Sequence, residues 1–285
     1  MRTYLDCYPC LLRQALMAAR MAGADHDVQQ SVMTKTLTLL QAPPSNARPP
    51  EIVHLVHRIV RQVSGDSDPY RKIKAESTGQ ALALYPRLKA LVAQSADPLD
   101  TAVRVSLAGN IIDLGVRDDV PDLWATVERV MASPLAIDHL AELRTELATA
   151  DHVLYLADNA GETVFDRVLI EQLDPPVVYA VKGGPVLNDA TREDALAAGL
   201  EACSTIVDNG SAAPGTILDL CSAEFRDAFA SAPLIIAKGQ AHYETLSEAG
   251  PRVFCLLQVK CPVIADDVEA PVGATVVKRN RPQSN

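Results

Sequence analysis

Five short apolar runs constrain this chain most, because each stops on polar residues beside a turn-former. Val153 to Ala157 ends in Asp158-Asn159-Ala-Gly-Glu162. Val177 to Val181 ends in Lys182-Gly-Gly-Pro185 and then Asn188-Asp189, and Thr205 to Val207 in Asp208-Asn209-Gly210. Leu234 to Ala237 ends in Lys238-Gly-Gln240, and Val253 to Val259 in Lys260-Cys261-Pro262. Runs this short and rich in β-formers read as buried parallel strands. After the first, Val164, Val168 and Leu169 recur at helical spacing. Strand and helix in alternation build a mostly parallel sheet covered on both faces, an α/β/α sandwich. The carboxyl ends of such strands share one edge, where ligands sit. One polar turn is ordinary surface. Five that bring acids, amides and lysines to one edge point to a site.

The first half reads differently. Helical patterns run over His26 to Leu40, Pro50 to Val63, Arg71 to Ala93, Asp97 to Leu107, Pro121 to Met131 and Ile137 to Ala148, punctuated by prolines and glycines. The expected organisation is therefore an all-helical domain over 1–150 packed on a Rossmann-like α/β domain over 151–285. A β-like run at Ala274 to Val277 precedes a polar tail expected to fray. His54 and His57 lie three apart on one helix and receive no role. Asp68-Pro-Tyr70 starts a helix with a capping acid and a proline. The glycine and amide of Gly109-Asn110 read as a helix C-cap and turn.

Composition narrows the function. A hydrophobic content of 48% with 22% charged residues is that of a globular protein. A net charge of −10 disfavours nucleic-acid and anionic-membrane partners, though not phosphate ligands, which need only local cations. No apolar run reaches the roughly 20 residues of a membrane helix, and Asp6 and Cys7 interrupt any signal-peptide core. The default location is cytoplasmic, with the six cysteines reduced.

Asp158, Asn159 and Asp189 offer hard oxygen donors suited to Mg²⁺ or Mn²⁺. Lys238 and Lys260 offer cations to phosphate oxygens. A metal and lysines around one cleft supply what phosphoryl transfer needs. No Gly-x-Gly-x-x-Gly, Walker-type or Gly-x-Ser-x-Gly motif occurs in these turns. Cys7-Tyr-Pro-Cys10 forms a thiol pair that, with Cys261, makes a second candidate site for a metal or redox chemistry.

The chain resembles the metal-dependent damage-control phosphatases, the family of domain of unknown function 89. It is most similar to the prokaryotic branch with an amino-terminal Cys-x-x-Cys. The matching residues are Cys7-Tyr-Pro-Cys10, Asp68-Pro-Tyr-Arg-Lys-Ile-Lys74, Gly109-Asn110-Ile-Ile-Asp113, Asp158-Asn-Ala-Gly-Glu162, Asn188-Asp189-Ala-Thr191, Asp208-Asn-Gly210, Lys238-Gly-Gln240 and Val259-Lys260-Cys261. The resemblance implies Mn²⁺, Co²⁺, Ni²⁺ or Mg²⁺ on Asp158, Asn159 and Asp189, with catalysis by Asp158, Asn159, Lys238 and Lys260. It implies a substrate site of Asn110, Asp113, Glu162, Asp208 and Asn209, Lys238 holding the phosphate of a small metabolite such as a sugar phosphate or a phosphopantetheine-like compound. Whether Asp158 or water attacks phosphorus stays open at this level. So do two rival readings: an S-adenosylmethionine-dependent carboxyl methyltransferase, and a non-enzymatic zinc or thiol module built on Cys7, Cys10 and Cys261. The oligomeric state is likewise open.

Overall fold

The computed structural model describes residues 2–111 and 122–281. Its strands are β1 (Ile137–Asp138), β2 (Val153–Leu156), β3 (Val177–Val181), β4 (Thr205–Asp208), β5 (Leu234–Lys238), β6 (Val253–Gln258) and β7 (Thr275–Arg279). They form one sheet in the order β1-β7-β6-β5-β2-β3-β4. The five strands from β6 to β4 are parallel neighbours, with Val153 in register with both Val177 and Leu234. Their carboxyl ends therefore do share an edge. At the far side β7 runs antiparallel to β6, and β1 pairs parallel with β7.

The helices are α1 (Cys7–Met21), α2 (His26–Gln41), α3 (Pro49–Ser64), α4 (Arg71–Ala93), α5 (Pro98–Ile111), α6 (Leu123–Ala132), α7 (Leu140–Leu147), α8 (Thr163–Ile170), α9 (Arg192–Ala197), α10 (Ala223–Ser231), α11 (Gln240–Leu246) and α12 (Pro262–Val268). Because strand side chains alternate, the sheet feeds two cores. Val153, Tyr155, Leu234, Ile236, Phe254 and Leu256 face one core, shared with α4 to α9. Leu154, Leu156, Ile235, Ala237, Cys255 and Leu257 face the other, shared with α10, α11 and α12. Helices α1, α2 and α3 enclose a third cluster that takes in Tyr70. Among the described residues no helix is long and apolar enough to cross a membrane.

Two stretches depart from the sequence reading. Ile137 to Ala148 reads as one helix, yet it opens with strand β1. The carboxylate of Asp138 accepts from Leu140 N at 3.0 Å and starts α7 afresh, while Ile137 and Asp138 pair with Val276 and Val277. Those partners are remote in sequence, so no local pattern reveals them. The tail expected to fray is ordered through Arg279, which pairs with Glu146, and Asn280, which donates to Leu246 O at 2.6 Å.

Helix α3 brings the third cluster to the sheet edge. Arg61 donates to Pro185 O at 3.0 Å, His54 Nδ1 lies 2.9 Å from Ala212 O, and Arg48 donates to Thr245 O. These contacts pin the loops after β3 and β4 and the end of α11. On the opposite side α5 presses on α8 so closely that a Cβ on Gly109 would stand 2.8 Å from Phe165 Cβ.

Gly109→Ala is therefore expected to destabilise the fold by about 1–3 kcal/mol through overpacking, measured as a lower urea midpoint. His57 is buried beside Tyr70, and burial, aided by the neighbouring Arg61 and His54, pushes its pKa down to about 3. The unfolded chain binds this proton below about pH 6.5 and the folded chain does not. Stability should be intact above that pH and fall as the pH drops toward 3, by about 2 kcal/mol at pH 5. His57→Leu should flatten that part of the stability profile; an unchanged slope would refute the assignment.

Candidate active site

The turn after β2 carries Asp158, Asn159 and Glu162 into a buried network. Two amides bridge two carboxylates: Asn110 Nδ2 donates to Asp158 Oδ2 at 2.9 Å and Glu162 Oε2 at 3.1 Å, and Asn159 Nδ2 to the same two oxygens at 3.0 Å each. Asn110 also accepts from Gln258 N at 3.1 Å, tying the end of α5 to the end of β6. It lies inside helix α5 rather than in a turn, and both its donor hydrogens are engaged. Gly239 makes room for this pair. With φ of +79°, its missing Cβ would lie 1.9 Å from Asp158 Oδ2, so no side chain fits.

Beneath Glu162 lies Lys238, which is 0% exposed. Its ammonium donates to Glu162 Oε1, to Asp166 Oδ1 at 2.6 Å and to Ser106 O at 3.2 Å. Asp166 also accepts from Ser106 Oγ at 2.9 Å, Tyr155 OH at 2.7 Å and Tyr179 OH at 2.9 Å. Burial alone would lower the lysine pKa; Asp166 and Glu162 more than reverse this and hold it above its ordinary value. This corrects the expected role of Lys238 as phosphate holder. An ammonium has three hydrogens, and all three are taken inside the protein.

The turn after β3 supplies Asp189. Backbone bonds join it to the first turn: Ala190 N donates to Asp158 O at 2.7 Å and Ala160 N to Asn188 O at 2.8 Å. Lys182 Nζ stands 3.5 Å from Asp189 Oδ2. From the helical side, buried Lys74 pairs with Asp68 at 3.3 Å and with Asp194 at 3.0 Å. Asp194 in turn accepts from Thr191 N at 2.9 Å, holding the start of α9.

Among the described residues the linked network buries the carboxyls of Asp158, Glu162, Asp166 and Asp189 beside the ammoniums of Lys182 and Lys238. Burial, then Glu162 and Asp189, push the Asp158 carboxyl well above the carboxylate range, while Lys260 and Lys182 pull against them. Asp158 and Asp189 are thus close enough to act on one another, as a shared ligand set requires. Clustered carboxyls and an amide oxygen are hard donors that fit a divalent cation. Asp158 Oδ1 and Asn159 Oδ1 have no hydrogen-bond partner among the described residues, which leaves them available as ligands. Among those residues no three His, Cys, Asp or Glu side chains form a metal-holding group; the set here is two carboxylates with an amide oxygen.

The remaining expected residues fall as follows. Lys260 is exposed at the rim, its charge felt at Asp158 and its amide donating to Gln240 Oε1 at 3.1 Å. Asn209 Oδ1 accepts from Gly183 N at 3.2 Å and Ser211 N at 2.9 Å, so this side chain shapes its own loop. Asp208 is engaged by Gly210 N at 3.1 Å and lies 3.7 Å from Arg192 on the edge strand. Among the described residues neither is joined to the Asp158 network by a hydrogen bond or ion pair. Asp113 lies outside the described residues. Cys7, Cys10 and Cys261 are free thiols. Gln14 donates to Cys10 Sγ at 3.5 Å and Gln240 to Cys261 Sγ at 3.7 Å. Burial first, and Glu244 among the other causes, raise the pKa of Cys7 and Cys261.

Sequence reasoning missed Asp166, Lys182, Ser106, Tyr155 and Tyr179. A signal existed for Asp166: it follows Glu162 by four residues, which stacks both carboxylates on one helix face. The tyrosines sit in register on β2 and β3, with ring centroids 5.4 Å apart.

A family model described as the damage-control phosphatase ARMT1-like domain matches residues 3–276, and the chain belongs to that family. It is 35% identical over 287 residues to damage-control phosphatase PH1575 of Pyrococcus horikoshii, covering 99% of both chains. It is 33% identical to a damage-control phosphatase of Archaeoglobus fulgidus, over 95% of this chain and 97% of that one. The crystal structure of the Pyrococcus protein, described as a DUF89 family member, matches with a TM-score of 0.91 over 99% of this chain and 100% of that one, at 35% identity.

Lys238→Met would leave Glu162 and Asp166 buried without their cation. The expected cost is about 3–5 kcal/mol, read from equilibrium urea unfolding. A loss below about 1 kcal/mol would show that these acids are not held as a charged pair with the lysine.

Proposed function

We propose that this protein is a divalent-metal-dependent phosphatase that hydrolyses phosphate monoesters of small metabolites. Damaged or surplus sugar phosphates and phosphopantetheine-like compounds are the substrate class, and Mn²⁺, Co²⁺, Ni²⁺ or Mg²⁺ the cofactor. The observation that carries the reading is the buried cluster of carboxyls around Asp158, where Glu162 and Asp189 act on it, set at the strand edge where ligands bind. The names of its relatives, damage-control phosphatases, agree with it.

In this reading Asp158, Asn159 and Asp189 hold the ion. When bound, the metal would polarise the phosphoryl group and offset its charge. The other residues prepare the site. Asn110 and Asn159 fix the Asp158 and Glu162 carboxylates through paired amide hydrogens that engage Asp158 Oδ2 and not Oδ1. Lys238 keeps Glu162 in place from below. Lys260, exposed at the rim and acting on Asp158, is placed to meet phosphate oxygens as a point charge.

Hydrolysis of p-nitrophenyl phosphate with added Mn²⁺ or Co²⁺ tests this directly. Wild-type protein should turn over and lose activity on chelation. Asp158→Ala and Asp189→Asn should each lose roughly 10²-fold or more, as removal of a group stabilising transition-state charge does. Turnover in Asp158→Ala equal to wild type would end the reading.

A further inference from the structure

Lys182 and His242 have no part in the proposed chemistry, yet both are buried beside it, at 2% and 1% exposure. The Lys182 ammonium donates to Gly215 O, stands 3.5 Å from Asp189 Oδ2 and lies 3.5 Å from His242 Nε2. The carbonyl and the imidazole are hydrogen-bond acceptors for the ammonium, and the Asp189 carboxylate lies at ion-pair distance from it. His242 Nδ1 lies 2.6 Å from Lys238 O, and a carbonyl only accepts, so Nδ1 carries the ring proton. That leaves Nε2 as an acceptor pointing at Lys182. Burial, followed by the charge of Lys182, keeps the ring neutral, consistent with this tautomer.

Without His242 the Lys182 ammonium would lose a buried hydrogen-bond acceptor. The side chain would then reorient, and the Asp189 carboxylate would lose its ion-pair contact with Lys182. We propose that Lys182 is a positioning residue for Asp189, setting its carboxylate for the cation, and that His242 in turn holds Lys182 in place. The inference rests on the metal-dependent reading above. The arrangement has the form of an outer-shell pair behind a metal ligand, whose loss typically weakens metal binding 10- to 100-fold.

Calorimetric titration of the full chain with Mn²⁺, without substrate, tests it. His242→Leu removes the acceptor without changing charge and should weaken Mn²⁺ about tenfold. His242→Gln keeps a carbonyl acceptor and should restore affinity to within about threefold of wild type. Lys182→Arg keeps the cation but alters its reach, and should weaken Mn²⁺ about tenfold. It also decides the matter if His242→Leu fails to fold, as judged by circular dichroism. A lysine acting only as a counter-charge predicts wild-type affinity in every variant that keeps it, and that result overturns the proposal. A Gln variant as weak as the Leu variant overturns the role of His242. Wild-type protein that binds no Mn²⁺ sinks the metal reading itself, an outcome distinct from unchanged affinity in the variants.

Discussion

Acids gathered where the strands end cannot be buried without partners, and most of this architecture answers that constraint. A carboxylate taken out of water costs several kcal/mol unless paired and hydrogen-bonded. Asp166, at 0% exposure, meets this with four donors: Lys238, Ser106, Tyr155 and Tyr179. Those donors come from β5, α5, β2 and β3, so neutralising one acid ties three strands and a helix to α8. The polar network and the apolar core are thus built by the same elements.

The network is layered in charge. Its deepest layer is balanced, with Lys238 between Glu162 and Asp166. In the layer above, burial, then Glu162 and Asp189, raise the Asp158 carboxyl while Lys260 and Lys182 pull against them. Amides connect the layers, because Asn110 and Asn159 can donate twice each without adding charge. A layer of clustered carboxyls over an ion-paired one gives a rigid place for a cation.

The helical half contributes by reaching across. Asn110 comes from α5, Lys74 from α4, Arg61 and His54 from α3, and Arg48 from the residue that caps it. Each contacts a loop, a turn or a helix (α9 or α11) on the carboxyl side of the sheet. Loops carry function when a scaffold fixes them, and here the scaffold is partly the helices that precede the sheet in sequence.

The five parallel strands, their shared polar edge, the helical nature of the first half and the nearness of Asp158 to Asp189 could all be read from residue order. They rest on short apolar runs and on turn residues that follow them at once, and these are local properties. The family's motifs marked Asn110 too, though the residue pattern alone suggested a helix end. Strand β1, the ordered tail and the roles of individual lysines were not legible. Lys238 and Lys260 look alike as strand-end lysines, but one has three internal acceptors and the other stands at the rim. Sequence sets which side chains arrive at the edge, because period and turn chemistry are written along the chain. Only the tertiary structure decides how each of them is partnered, because partners for a buried charge come from segments remote in sequence, as Ser106 and Glu162 do for Lys238.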